Sequence, residues 1–391
     1  MVKKNDYGAF IDPDMDLPPT GHGLLDDLTF AVKDVFAVRG YKNSAGNPEW
    51  FAHAEKAEQH ADVIDQLLGH GGRLTGRTVT DELMYSLKGD NIHFPPTINP
   101  RSPESFSGGS SSGSAVAAAA RLVDFAMGTD TGGSVRIPSA YCGIYGMRPS
   151  HGLISMRHVI PLAPSFDTVG WMSDDKHVLT QVGETILPEQ KINSYRNFFR
   201  LEDAFQLLSG KDDLKEYLNV MTKLNQKYKL QSIHLSKCWS FHDLTECFRI
   251  LQGREAWESH GHWINKHHPK FGKDIANRFK MASEIQKDSE YYGMRQLKEK
   301  FTSAIRNLLG HDSLLIIPTT IGPAPERKSD FNTIESLRNE TMKLTCIAGL
   351  SGLPQITVPI SNSVKPLGLS FISGLNTDKQ LLYFINHLDI S

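Results

Sequence analysis

Two glycine-rich loops carry serines where a backbone can present them to a ligand: Gly108 to Gly113 (GGSSSG) and Thr129 to Ser134 (TDTGGS). Glycine beside serine lets the chain turn sharply and brings backbone N–H groups close to a bound atom. Two or more such groups aimed at one point make an oxyanion or phosphate site. A serine hydroxyl is a weak nucleophile until a base takes its proton, and a neutral lysine acting through a second hydroxyl can be that base. The chain offers Lys33 in the apolar run Leu28 to Val38 (LTFAVKDVFAV), Ser110 and Ser134. Burial would lower the lysine pKa toward a useful value. The same residues also suit a lysine on a solvated strand face and two loops that only connect elements.

Two other chemistries fit less well. A phosphate cradle wants GxxxxGK[ST] or GxGxxG straight after a strand, and neither is present. Gly109 to Gly113 does match the GxSxG nucleophile elbow, centred on Ser111, but an elbow must follow a buried strand. The residues before it, NPRSPESFS, cannot form one.

The loops must be held by what surrounds them. Ala115 to Leu122 reads as a closely packed helix and Leu122 to Met127 as a strand that returns toward it. A helix of about ten residues runs out about 15 Å and a strand of about five returns about 17 Å, so the serine loops end side by side. Upstream, residues 1 to 27 read as a surface arm and residues 54 to 69 as an amphipathic helix. GGRLTGRT reads as a turn and strand, and Asp81 to Leu87 as a short helix before an irregular pocket-wall loop. Residues 151 to 175 mix apolar pieces with turns, whereas 201–208, 213–227, 242–264 and 271–309 read as helices. His260, His262, His267 and His268 lie in this block, but not at HExxH or Cys/His-framework spacing, so no metal is expected. Strands at 313–320, 352–360 and 366–373 and helices at 335–349 and 378–386 return the chain to α/β character.

Composition narrows the partners. With 42 Lys+Arg against 44 Asp+Glu no global field favours nucleic acid. No run reaches the roughly 18 apolar residues of a membrane span, and no secretory h-region follows the basic N-terminus. Four scattered cysteines without CxxC spacing fit reduced thiols and a cytoplasmic setting.

Taken together, GGSSSGSA followed by DTGGSVRIPS resembles the amidase signature family of serine hydrolases. Ser110 and Ser134 stand at the family's relay-to-nucleophile spacing. Phe30 to Asp34 matches its FxxKD strand, Pro318 to Pro325 its PTTxxxAP segment and Gly352 to Pro359 its GLPxxxxP strand. The longer pattern is most similar to compact amidases of the plant indole-3-acetamide hydrolase type.

The resemblance implies an α/β amidase-signature fold: a single mixed central β-sheet flanked by helices on both faces. One domain would span 1–391, with a catalytic core about 24–175 and 310–391 and a helical layer about 195–309. It further implies that Ser134 is the acyl-forming nucleophile, Ser110 the relay after a cis peptide bond, and Lys33 the base. Thr131, Gly132, Gly133 and Ser134 would supply the oxyanion hole, and Ser111, Asp130 and Arg136 would support the loops. Met84, Tyr85, Ser86 and Phe94 are candidate pocket residues. No cofactor or metal is implied. The expected partner is a small-molecule amide, best an aryl- or indole-acetamide, and a homodimer is left open. Two alternatives remain: the amidase subunit of glutamyl-tRNA amidotransferase, working with partner subunits, and a non-catalytic amidase-like binding module.

Overall fold

Eleven strands form one sheet: β1 (Phe10–Asp12), β2 (Thr29–Lys33), β3 (Arg73–Thr78), β4 (Phe125–Asp130), β5 (Tyr145–Arg148), β6 (Thr168–Ser173), β7 (Asn197–Leu201), β8 (Gln231–Ile233), β9 (Ser313–Pro318), β10 (Gln355–Pro359) and β11 (Gly368–Ser373). The computed structural model describes residues 6–208, 210–360 and 365–389. Across the sheet the order is β1-β3-β2-β4-β6-β5-β10-β11-β9-β7-β8. β3, β2 and β4 run parallel, as do β8, β7 and β9, and the strands joining these groups are antiparallel. The mixed sheet of the α/β expectation is therefore present, closed in its middle by the C-terminal strands.

Each face of the sheet has its own chemistry, because side chains alternate along a strand. On β6, a Cβ at Gly170 would lie 3.0 Å from Val135, at the start of the helix Arg136–Cys142. Its neighbour Trp171 faces the other way, and its indole N–H donates to the Leu179 carbonyl of the helix Lys176–Ile186. Gly128 and Gly146 similarly leave room for Ser111 and Ser139. A stripe of glycines thus lets the fully buried helices Ser112–Ala119 and Arg136–Cys142 lie close against one face. The helices Asp62–Gly69, Lys176–Ile186 and Asp378–Asn386 cover the other.

Because β2 and β4 are parallel neighbours, with Val32 opposite Met127, their carboxyl ends reach the same edge. That edge is where ligands bind in α/β sheets. Phe30 stacked on Phe125 at 5.2 Å fixes this register from below.

Several local expectations need correction. The serine-loop helix begins at Ser112, inside the loop, and the following strand covers 125–130, so it carries Asp130 at its end. The expected helix at 54–69 is helical only over Asp62–Gly69, and 271–309 is two helices, Lys273–Glu284 and Ser289–Leu309. The segment 195–309 also contributes β7 and β8, so it extends the sheet as well as layering on it. The N-terminal arm is more than a surface wrap, since β1 pairs with β3 and Ala9, Phe10, Met15 and Leu25 are buried.

Gly113 tests this packing. Alanine is worth about 0.8–1.0 kcal/mol over glycine inside a helix. Here, however, its Cβ would lie 2.3 Å from the Ala9 carbonyl oxygen and 2.6 Å from the Val79 nitrogen. Backbone cannot move aside as a side-chain tip can, and overpacking costs about 1–3 kcal/mol. Gly113→Ala is expected to lower unfolding stability in urea, and a gain in stability would refute the close approach.

Candidate active site

Lys33 is the last residue of β2 and is fully buried. Its Nζ lies 2.8 Å from Ser110 Oγ and 2.9 Å from Thr129 Oγ1. Removal from water lowers its pKa to about 7, and the attraction of Asp81, Asp130 and Asp167 stops it falling further. The turn after Lys33 is tied down by Asp34, whose carboxylate accepts from Ser44 N–H at 2.7 Å and from Arg77 at 3.1 Å. These bonds hold the lysine stem in place.

The two serine loops meet above this lysine. Gly109–Ser110 is a cis peptide bond, and Ser110 is buried. Ser111 ties the loops to each other: its N–H donates to the Ser134 carbonyl at 3.2 Å, and its hydroxyl donates to the Thr129 carbonyl at 3.2 Å. Gly133 has φ +127°, where glycine is favoured, and a Cβ there would press on Ile137 at 2.8 Å. Ser134 follows it and opens onto a cavity.

Asp130 is the clamp. One carboxylate oxygen accepts from Gly133 N–H at 3.0 Å, Arg136 Nη2 at 2.8 Å and Arg148 Nη1 at 3.0 Å. The other accepts from Val135 N–H at 3.0 Å, Arg136 N–H at 3.2 Å and Arg136 Nε at 3.0 Å. Burial alone would raise the Asp130 pKa, but the two guanidiniums outweigh it and hold the carboxyl well below its usual range. Arg136 reaches on to the Thr345 carbonyl and Gln355, and Thr345 in turn donates to the Gly132 carbonyl at 2.8 Å. One expectation changes here. The Gly133 amide is engaged by Asp130, which leaves the amides of Thr131, Gly132 and Ser134 as the candidate oxyanion donors.

The cavity at Ser134 is narrow, about 10 Å³, and Met84, Tyr85 and Ser86 lie in its lining. Phe94 is half-buried and outside the lining, on the irregular loop that follows. The expected helix around Met84 is a short 3-10 turn, Glu82–Met84, in which Leu83 (φ 42°) and Met84 (φ 62°) are left-handed. Such non-glycine strain concentrates at functional sites and persists where neighbours enforce it. Leu83 N–H is held by the Ala45 carbonyl at 2.8 Å and the Tyr85 carbonyl by Arg278 at 3.0 Å.

The sequence reading missed the rest of the wall. Leu87, Phe248, Gln252, Arg338 and Met342 complete it, mostly from the helices Phe241–His267 and Phe331–Ser351. Helical spacing marks only which face is apolar, so no motif flagged them. Thr129 and Asp81 were also missed. Burial pushes Asp81 up to about 6, and it accepts from Gly89 N–H at 3.0 Å. His260, from the histidine-rich block, is a buried core residue whose Nε2 lies 2.8 Å from the Pro161 carbonyl, and burial lowers its pKa to about 4.

Known proteins are similar to this chain in sequence and in fold. A family model described as Amidase matches residues 17–220. Amidase 1 of Arabidopsis thaliana is 36% identical over 423 aligned positions, covering 99% of both chains. The chloroplastic outer envelope protein 64 of the same plant is 33% identical over 97% of this chain and 70% of its own length. A crystal structure of an amidase has a TM-score of 0.81 at 23% identity, over 94% of this chain and 85% of that one, which shows the shared fold.

Asp130→Asn isolates the clamp. The amide keeps the shape but leaves two fully buried guanidiniums without a counter-charge, a loss of about 3–5 kcal/mol. A matching fall in urea stability is expected, and a change under about 1 kcal/mol would show the cluster to be dispensable.

Proposed function

Because this chain belongs to the amidase family, we propose that it hydrolyses the C–N bond of a small carboxamide to the acid and ammonia through a Ser134 acyl-enzyme. The observation that carries this reading is the buried Lys33 amine, 2.8 Å from Ser110 Oγ and with a pKa near 7. A neutral amine has two N–H bonds and one lone pair. Thr129 Oγ1 accepts one N–H, which frees the lone pair for the Ser110 hydroxyl proton.

Lys33 then draws the Ser110 proton as Ser110 draws that of Ser134, and Ser134 Oγ attacks the amide carbon. The oxyanion develops against the backbone amides of the Thr131–Ser134 loop. Collapse breaks the C–N bond, and the relay returns the proton to the departing ammonia. Water, activated by the same relay, adds to the acyl carbon and releases the acid from Ser134.

The lining of the cavity and not its size supports the substrate class: the space at Ser134 is about 10 Å³, whereas pockets for drug-sized ligands run to about 300–1,000 Å³, so an amide must part its walls to enter. Met84, Tyr85, Leu87, Phe248 and Met342 give it apolar and aromatic surface beside the polar Ser86, Gln252 and Arg338. That surface suits a flat ring, and an aryl- or indole-acetamide is the substrate we favour.

Ammonia release from indole-3-acetamide, phenylacetamide, a short aliphatic amide and glutamine tests the reading. Ser134→Ala should reduce release by at least about 10³-fold, because nucleophile and relay act as one unit. No release from any amide by the purified chain would favour the partner-dependent subunit or the binding module instead.

The pH profile tests the base. Lys33 works neutral, so kcat/KM should climb about tenfold per pH unit below about 7 and level off above it. Lys33→Ala should lose both the activity and that acid limb. A wild-type rate independent of pH between 5 and 8 would remove Lys33 from the role of base.

A further inference from the structure

Away from the cleft, the end of the long helix Phe241–His267 comes against the short helix Pro48–His53. Glu49, His53 and His267 each bring one donor atom to a common point, all within 4.8 Å of one another. We propose that these three side chains bind a divalent transition-metal ion of the zinc class, which clamps the short helix to the helical layer.

Placement and chemistry agree. Glu49 and His53 are four residues apart on one helix, so both project from the same face. His53 Nδ1 lies 2.9 Å from the Glu49 backbone carbonyl. An N–H at Nδ1 donating there fixes the tautomer and keeps the Nε2 lone pair for the ion, as the partners of metal-bound histidines do, and the Glu49 carboxylate, now 3.5 Å from Nδ1, turns to join it. The His53 and His267 rings approach to 3.9 Å between centroids. Donors around one zinc ion at about 2.0–2.1 Å sit roughly 3.3 Å apart, so small side-chain rotations close the set. His53 is exposed and Glu49 and His267 half-buried, which leaves the point open to an ion and to water as a fourth ligand. Two imidazoles and one carboxylate suit zinc, cobalt, nickel or copper better than magnesium or calcium.

The fold also gives the ion something to do. The helix Pro48–His53 has no buried residue, and it leans on the layer mainly through Trp50, 4.9 Å from Trp263. A metal bridge would supply an anchor that burial does not. Because Trp263 also packs on His267 at 5.7 Å, a paramagnetic ion bound there would quench tryptophan fluorescence.

Calorimetric titration of the full chain with zinc chloride, paired with quenching by nickel chloride, tests the site. One ion per chain with micromolar affinity is expected, weakened at least about tenfold in His53→Ala and in His267→Ala. Each variant should keep the wild-type far-UV spectrum and metal-free melting temperature. Should either melt early, His53→Gln and Glu49→Gln carry the same comparison with side chains of similar size. Failure to bind zinc at millimolar concentration would overturn the proposal. So would binding that survives in both histidine variants, which would place the ion on other residues such as His262.

Discussion

The site depends first on one buried carboxylate. Asp130 ends β4 and receives two guanidiniums and three backbone amides, none of them exposed to water. A lone ion at this depth is untenable, so each charge is present only because the others are. The cluster joins parts of the chain that are distant in sequence: the second serine loop, β5 through Arg148, β10 through Gln355 and the helix Phe331–Ser351 through Thr345. The loop bearing Ser134 is thereby held by the middle of the sheet.

Lys33 is compensated only in part, by the more distant attraction of Asp81, Asp130 and Asp167, and its burial is a net cost to the fold. Lowering its pKa from 10.5 to about 7 corresponds to a penalty on the order of 5 kcal/mol on the charged form. A lysine depressed in the folded state works against stability below the folded value, near pH 7, and the penalty fades only as pH rises toward the unfolded value near 10.4. The protein therefore carries nearly the full cost at neutral pH. The same penalty is what lets a good part of the amine stand neutral beside Ser110 near pH 7, so stability is exchanged for an available lone pair. Asp81, whose N–H donates to the Ser110 carbonyl at 3.1 Å, is pushed up to about 6 and so moves the opposite way for the same reason, burial. Two ionisable groups are thus brought toward neutrality by one dry pocket.

This logic explains which features were legible in the sequence. The serine loops and Lys33 could be read because their chemistry is written locally, in glycine next to serine and lysine inside an apolar run. The final helix, 378–386, was read to its boundaries because its apolar spacing is clean. β5 and β6 were not read as strands, since Gly146 and Gly170 interrupt the alternation. Those glycines are there to admit Val135 and Ser139. The 82–84 turn was misread because its left-handed residues are enforced by tertiary bonds and not by glycine. The wall residues Phe248, Gln252, Arg338 and Met342 come together only in the folded layer, and sequence spacing shows no more than an amphipathic face.

The helix Phe331–Ser351 shows how recognition and chemistry share one scaffold. Arg338 and Met342 line the cavity, while Thr345, three residues on, binds the Gly132 carbonyl and receives Arg136. Steps of four and three keep all three on one face of the rod. Arg338 and Met342 can therefore change what the cavity admits without touching the clamp, whereas Thr345 cannot change without disturbing it. The buried half of this helix is its last three turns or so, from Thr341 to Ser351, and the half before it is exposed or half-buried. Arg338 stands on the more exposed half, whereas Met342 shares the buried half with Thr345, so a change of cavity shape at Arg338 disturbs the core least.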